Sequence, residues 1–360
     1  MLVRWIVTIL AFIAGAVVGV IIAGGGLTDY EAALQAFPLV TVIAVLAAFV
    51  AYAGVEYLQT GTLASIRRQF DTRTIVLIPI AIAINVILGQ TVAAALKIPI
   101  YLDSIGTILV GVLAGPIPGA LTGMLSNLLW TYVLPPPFHS DFAAPFAITA
   151  VVIGLLAGFA GRAAFMRPRP DRGASELIVA ALVALAVVGG LALWTYSQFY
   201  GETFTFFNPE PESDPGIFLV LVGWLIAAIL VGAVVGFLAM LFIRRDASVA
   251  YVVVAGAVTG VIAAILSAPI AANLFGGVTG AGTDFLVAFF RQQGADVLSS
   301  SFQQGLISDP IDKITTFFVV FLILSAMARR TKARFPQGDR LIEEGEAAVD
   351  ESGEWRQASA

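Results

Sequence analysis

The chain of 360 residues is 59% apolar and 12% charged, with 19 Lys and Arg against 24 Asp and Glu and a formal net charge of −5. With the basic residues spread thinly and forming no stripe, this balance argues against nucleic acid as a partner. The absence of cysteine excludes disulfides, thiolate nucleophiles, iron–sulfur clusters and cysteine-ligated zinc, and with His139 the sole histidine no metal site is expected.

In chain order, the apolar runs at 5–24, 36–55, 74–96, 175–196, 215–243 and 250–272 reach the roughly 20 residues that cross a hydrocarbon core. Shorter Gly- and Ala-rich runs at 100–115, 117–134, 145–161 and 311–328 fit as helices packed inside a bundle. The fold class read from this pattern is all-α, a multi-pass bundle of about ten transmembrane helices in the cell membrane, surrounded by lipid. Arg4 before the first run also fits a secretory signal, but the run is long and another span follows it, so it is read as a retained helix. Two N-terminal helices occupy 1–69, the main bundle 70–335 with an extra hairpin at about 175–243, and a disordered acidic tail 336–360.

Lys and Arg near helix ends set orientation. Arg4, then Arg67, Arg68 and Arg73, then Arg162 to Arg172, then Arg244 and Arg245, then Arg329 to Arg334 mark one side, read as the cytoplasm. This puts both termini inside and leaves Lys97 and Arg291 outside. The outer segments are then 25–35, 97–100, 135–144, 197–214 and 275–308. Segment 197–214, with Glu202, Glu210, Glu212 and Asp214 beside Phe204, Phe206 and Phe207, reads as a solvated loop with aromatics at the interface. Segment 275–308 reads as a Gly-rich turn, a short apolar helix around Asp284 to Phe290 and a Ser- and Gln-rich return, a long structured loop of the kind used as a lid.

Polar residues within the spans are few. Asn85 and Gln90 interrupt the third, Asn127 and Trp130 the fifth, and Asn273 closes the ninth. An amide in hydrocarbon needs a partner, which is either a neighbouring helix or a bound solute. Asp103 follows Pro99 and opens a Gly-rich helix, where it serves as a cap or as a ligand contact. The stretch Ser308 to Lys313 reads as a helix start, with Asp309 as N-cap, Pro310 in the first position and Asp312 in the third. Gly106, Gly111 and Gly115, then Gly119 and Gly123, predict close backbone approach between the two helices flanking the turn at 115–119.

No G-x-x-x-x-G-K-[S/T] loop occurs, and the only lysines are Lys97, Lys313 and Lys332, so the chain is not expected to hydrolyse ATP, to act as an enzyme or to carry a cofactor. Glu56, Asp103, Asp309, Asp312 and Lys313 are all placed near helix ends by this reading, which leaves ion coupling through buried charge weakly supported.

Two sets of motifs resemble the substrate-binding membrane subunits, or S components, of energy-coupling-factor (ECF) vitamin transporters. The first is Tyr101-Leu102-Asp103-Ser104-Ile105-Gly106-Thr107 running into Gly111-Val112-Leu113-Ala114-Gly115-Pro116, then Gly123-Met124-Leu125-Ser126-Asn127-Leu128. The second is Gly276-Gly277-Val278-Thr279-Gly280, with Asp309-Pro310-Ile311-Asp312-Lys313 before a final span with a basic end. The resemblance covers roughly 70–335. It implies a bundle that binds a vitamin or related small molecule on its outer side, for ATP-driven uptake by a transmembrane coupling subunit and two ATPase subunits. It further implies that Asn85, Asp103, Asn127, Trp130, Asn273 and Asp284 lie toward the solute. The two N-terminal spans and the hairpin at 175–243 are additions to that family's pattern. The competing readings are a ligand-sensing membrane domain of a signalling system, which the short acidic tail without heptads disfavours, and a stand-alone membrane carrier.

Overall fold

The computed structural model describes residues 2–23, 34–95, 100–200, 231–232, 235–239, 241–243 and 245–342. Lys97, the loop at 201–214, most of the second arm of the 175–243 hairpin and the tail from 343 lie outside the described residues. Helices and turns account for the described residues, with no strand among them. The α-helices of five or more residues with both ends described are α1 (Leu2–Ile22), α2 (Phe37–Thr60), α3 (Thr72–Gly89), α4 (Ile105–Ala114), α5 (Pro116–Tyr132), α6 (Ala147–Arg162), α7 (Ala174–Tyr200), α8 (Ser248–Phe275), α9 (Asp284–Gln292), α10 (Val297–Ala326) and α11 (Arg329–Ala333).

Six described helical segments are long and apolar enough to cross a membrane: Val3–Ile22, Phe37–Thr60, Thr72–Val92, Ala144–Arg162, Ala174–Thr195 and Ser248–Phe275. Five coincide with the long runs of the sequence. The sixth, Ala144–Arg162, was expected as a short inner helix and is lengthened by the 3-10 turn at Ala144–Phe146.

Local chemistry sets several helix ends. The Asp71 carboxylate accepts from the Thr74 N–H at 2.7 Å and starts α3. Gly61, at φ 67°, closes α2 in the left-handed conformation. Gly115, at φ 129°, takes the turn that lets Pro116 begin α5 directly after α4.

The expected helix start at Asp309 is corrected by the structure. Asp296 is the N-cap instead, accepting from the Ser299 N–H at 3.0 Å and its hydroxyl at 2.6 Å, and α10 then runs 30 residues through Pro310 without a break. The Asp-Pro pair carries a local start signal, but a helix already under way and packed along its length overrides it. Asp309, Asp312 and Lys313 consequently sit in the middle of a buried helix and not at its end.

Small residues bring the helices together. A Cβ on Gly260 would lie 2.3 Å from the Pro310 Cα, and one on Gly256 would lie 2.5 Å from the Ile314 Cα, so this four-residue spacing seats α8 against α10. The glycines of α4 and α5 were expected to face each other. Gly119 does meet Gly111, but most of the tight contacts run to α6: Gly111 and Gly119 against Gly154, Gly123 against Ala150, and Pro116 against Gly158. Gly154→Ala would put a Cβ 2.2 Å from the Gly119 carbonyl carbon. Backbone cannot yield as a side chain does, so this variant is expected to lose about 1–3 kcal/mol, read as a lowered melting temperature in detergent.

Asn85, fully buried on α3, ties three elements together: its amide donates to Thr107 Oγ1 at 2.8 Å and Ser126 Oγ at 2.9 Å and accepts from the Gly106 N–H at 2.7 Å. Beneath it, Ile108, Leu113, Met166, Phe317, Phe321 and Leu324 form the main apolar core.

The basic clusters gather at one end of the bundle. Arg73 donates to the Arg334 carbonyl at 3.2 Å, Arg340 donates to the Arg162 carbonyl, and the Arg172 N–H reaches the Arg245 carbonyl at 3.4 Å. Trp5, next to Arg4, packs on Phe159, over which Arg162 also lies. At this same end residues 336–342, read from sequence as the start of the tail, pack on the bundle, with the Gln337 N–H donating to the Leu113 carbonyl at 2.9 Å and Leu341 buried.

Candidate functional site

A cavity of about 280 Å³ opens near the other end of the bundle, between the end of α3, the 101–107 segment, α5, the 139–143 loop, α6, α8 and α10. Its floor is charged. Lys313 Nζ lies 2.5 Å from Asp312 Oδ2, 2.8 Å from Ser104 Oγ and 3.6 Å from Asp103 Oδ1. The other oxygen of Asp312 accepts from the Tyr101 and Leu102 N–H groups at 3.0 and 2.7 Å. This holds the chain in its non-helical course just before α4, with Leu102 at φ 52°. The two motif regions that carry the family resemblance, 101–107 and 309–313, therefore meet in one hydrogen-bonded network although they are some 210 residues apart.

Asp309 lines the wall and accepts from Ser267 Oγ at 3.2 Å and Ser308 Oγ at 3.3 Å. Tyr101 joins the same wall, its hydroxyl 2.8 Å from Thr283 Oγ1 and 3.4 Å from Gln304 Nε2. Trp130 is buried against Gly89, where an added Cβ would lie 2.4 Å from the ring, so only glycine leaves room for the indole. At the mouth, His139 Nε2 and Asp141 Oδ1 are 2.9 Å apart, and Phe275 packs on Phe142 and Phe146.

Several cavity-lining groups lack protein partners. Trp130 Nε1 and Thr149 Oγ1 are buried with no hydrogen-bond partner among the described residues, and the Asn127 amide makes none either. A buried donor or acceptor left unmade costs about 1–3 kcal/mol, so the Trp130 and Thr149 groups each call for a partner that the described residues do not supply.

Of the residues singled out from sequence, the structure brings Asp103, Asn127 and Trp130 onto this cavity. Asn85 lies behind the wall with its hydrogen bonds filled by protein. Asn273 donates to the Pro269 carbonyl at 2.8 Å and borders a separate outer groove with Tyr132 and Phe275. Asp284 accepts from the Thr279 and Gly280 N–H groups at 3.0 and 2.8 Å, bracing the glycine turn before α9. Asp103 donates nothing to helix capping: α4 has Ser104 at its N-cap position without a side-chain bond, and the Asp103 carboxylate turns to Lys313. Tyr101, Ser104, Thr149, Ser267, Gln304, Asp309 and Lys313 also line the cavity and were not singled out as site residues. The signal for the last two was present, since a Lys preceded by two Asp at the start of an apolar run marks a functional site in membrane proteins.

Among the described residues no cluster of His, Asp or Glu is arranged to hold a metal ion. Comparison with family models, curated proteins and solved structures finds no match to this chain, and the chemistry of the cavity itself carries the functional reading.

Proposed function

We propose that the chain is a solute-binding membrane protein that takes up a small molecule into the cavity from the outer side, and that it works as the substrate-specific subunit of an ECF-type transporter. The observation that carries the binding reading is the set of unpartnered Trp130, Thr149 and Asn127 groups around a hollow of ligand size with a charged floor. The ECF assignment rests on the motif resemblance, which implies energy supply from a coupling subunit and two ATPases. In this reading about ten spans cross the cell membrane, the basic end faces the cytoplasm with both termini, and the cavity faces outward.

Gentle purification followed by native mass spectrometry is expected to reveal a co-purifying solute. Asn127→Ala should then weaken its binding by about 5- to 150-fold, the equivalent of one hydrogen bond of 1–3 kcal/mol, with the melting temperature of the empty protein retained, whereas Trp130→Ala should weaken binding and also lower that melting temperature, since it empties a buried site. No bound solute, or unchanged affinity in both variants, overturns the reading. Orientation is checked with Gly294→Cys, in the turn between α9 and α10, which should react with an impermeant thiol reagent from outside; protection there sinks the assignment of sides.

The charges buried in mid-α10 favour a second reading, a carrier driven by an ion gradient, since such carriers place ionisable groups within the bilayer. Vesicles holding only this chain separate the two. Accumulation of the solute without ATP and partner subunits establishes the carrier and removes the ECF assignment.

A further inference from the structure

The charges around the cavity do not balance. Asp103, Asp309 and Asp312 surround one ammonium, that of Lys313. Lys313 is already engaged, its Nζ shared among Asp312, Ser104 and Asp103. Asp312 is likewise complete, holding Lys313 and two backbone N–H groups, and does not line the cavity. Asp309 is different. It is 6% exposed, lines the cavity, and receives only the hydroxyls of Ser267 and Ser308, with no cation in contact among the described residues. A carboxylate shielded from water and answered only by neutral donors is stabilised when a positive group is supplied. An anionic solute, by contrast, would meet Asp103 and Asp309 in the walls with the one ammonium already occupied. Opposite in chemistry are the aromatic residues Trp130, Phe142 and Phe146, which line the same cavity and belong to the side-chain class that attracts cations and flat rings.

We infer that the solute is a small organic cation, an ammonium or protonated ring nitrogen on a flat apolar body, with its positive group paired to Asp309 and its ring against Trp130. The inference rests on the solute-binding reading and adds the charge class to it. Lys313 is not the ligand's partner in this arrangement; it neutralises Asp312 and part of Asp103, so that Asp309 stands as the specific acceptor.

Three indoles of matched shape test it: tryptamine with an ammonium, tryptophol with a hydroxyl and indole-3-propionate with a carboxylate. Binding is measured by calorimetry on the full chain in nanodiscs, in sodium chloride and in N-methyl-D-glucamine chloride. Tryptamine is expected to bind at least about tenfold tighter than tryptophol, with indole-3-propionate weakest, as desolvated charge pairing dictates. Asp309→Asn should abolish the preference for tryptamine over tryptophol. Equal or tighter binding of tryptophol or indole-3-propionate overturns the cation assignment and leaves the solute site standing. A tryptamine preference that survives Asp309→Asn overturns the role of Asp309. Stabilisation by sodium chloride with none from tryptamine assigns the acidic wall to an inorganic cation and overturns the proposal. Binding of none of the three overturns it too, and a co-purifying anionic solute would do so while upholding the binding reading. Should Asp309→Asn fail to fold, the ranking of the three probes on the unaltered protein still decides the charge class.

Discussion

Asp312→Ala is expected to lower the stability of the bundle by about 3–5 kcal/mol, the range for removing one partner of a buried ion pair. The Asp312 side chain is fully buried; without it Lys313 loses its nearest counter-charge, at 2.5 Å, and the Tyr101 and Leu102 N–H groups lose their acceptor. The segment entering α4 would then be released together with α10. Thermal unfolding in detergent or nanodiscs measures the effect. A double variant, Asp312→Leu with Lys313→Met, should be less destabilised than Asp312→Ala alone, because it removes the buried ammonium together with its nearest counter-charge and leaves only the part-exposed Asp103 without its cation. A melting temperature for Asp312→Ala within about a degree of the parent would show that the network does not hold the fold, since 1 kcal/mol moves the midpoint by several degrees in small domains and about 2–4 °C in larger ones.

Asn85→Ala is expected to cost about 2–4 kcal/mol, combining an orphaned buried donor with two lost hydrogen bonds, and to leave solute affinity unchanged in the protein that remains folded. The amide joins α3 to α4 and α5 through Gly106, Thr107 and Ser126, behind the cavity wall. Asn127→Ala should give the opposite pattern, losing affinity and little stability, because its amide has no protein partner among the described residues. Unfolding midpoint and affinity measured on both variants test the contrast. Weakened binding in Asn85→Ala with full stability would place Asn85 in contact with the solute and contradict the geometry.

These two asparagines show where the sequence was legible and where it was not. Both stand out as amides in apolar helices, and their local surroundings are alike. The difference lies in whether Thr107 and Ser126, on other helices, happen to face them, and that is a property of packing. Of about ten expected spans, five long apolar helices were readable where they were expected, because lipid demands long apolar helices with every backbone group satisfied internally. The clustering of basic residues was readable along the chain, and the clusters do meet at one end of the bundle. The mid-helix position of Asp309 was not. Asp-Pro satisfies every local rule for a helix start, and what overrides it is tertiary: Ser267 at Asp309, the 101–102 backbone at Asp312 and the glycine seat of α8. Three of the six residues first singled out reach the cavity: Asn127 and Trp130 are visible as an amide and an aromatic in an apolar helix, and Asp103 as a carboxylate before a Gly-rich one; Asp309 and Lys313 were hidden by an explanation that was locally sufficient.

One dimension of the fold bears on leakage. Helix α4 is ten residues long and buried from end to end, about 15 Å of helix, or half a hydrocarbon core. The cavity stands on its near end, and the other half of the thickness is filled by α4 wedged among glycine contacts with α3, α5 and α6 that admit no added methyl group. A molecule seated above thus faces a dry plug and not a narrow passage. In a planar bilayer the chain should carry no measurable current, and emptying the site toward the basic end requires whole helices to part or the bundle to turn within the lipid, work that thermal motion of side chains does not supply.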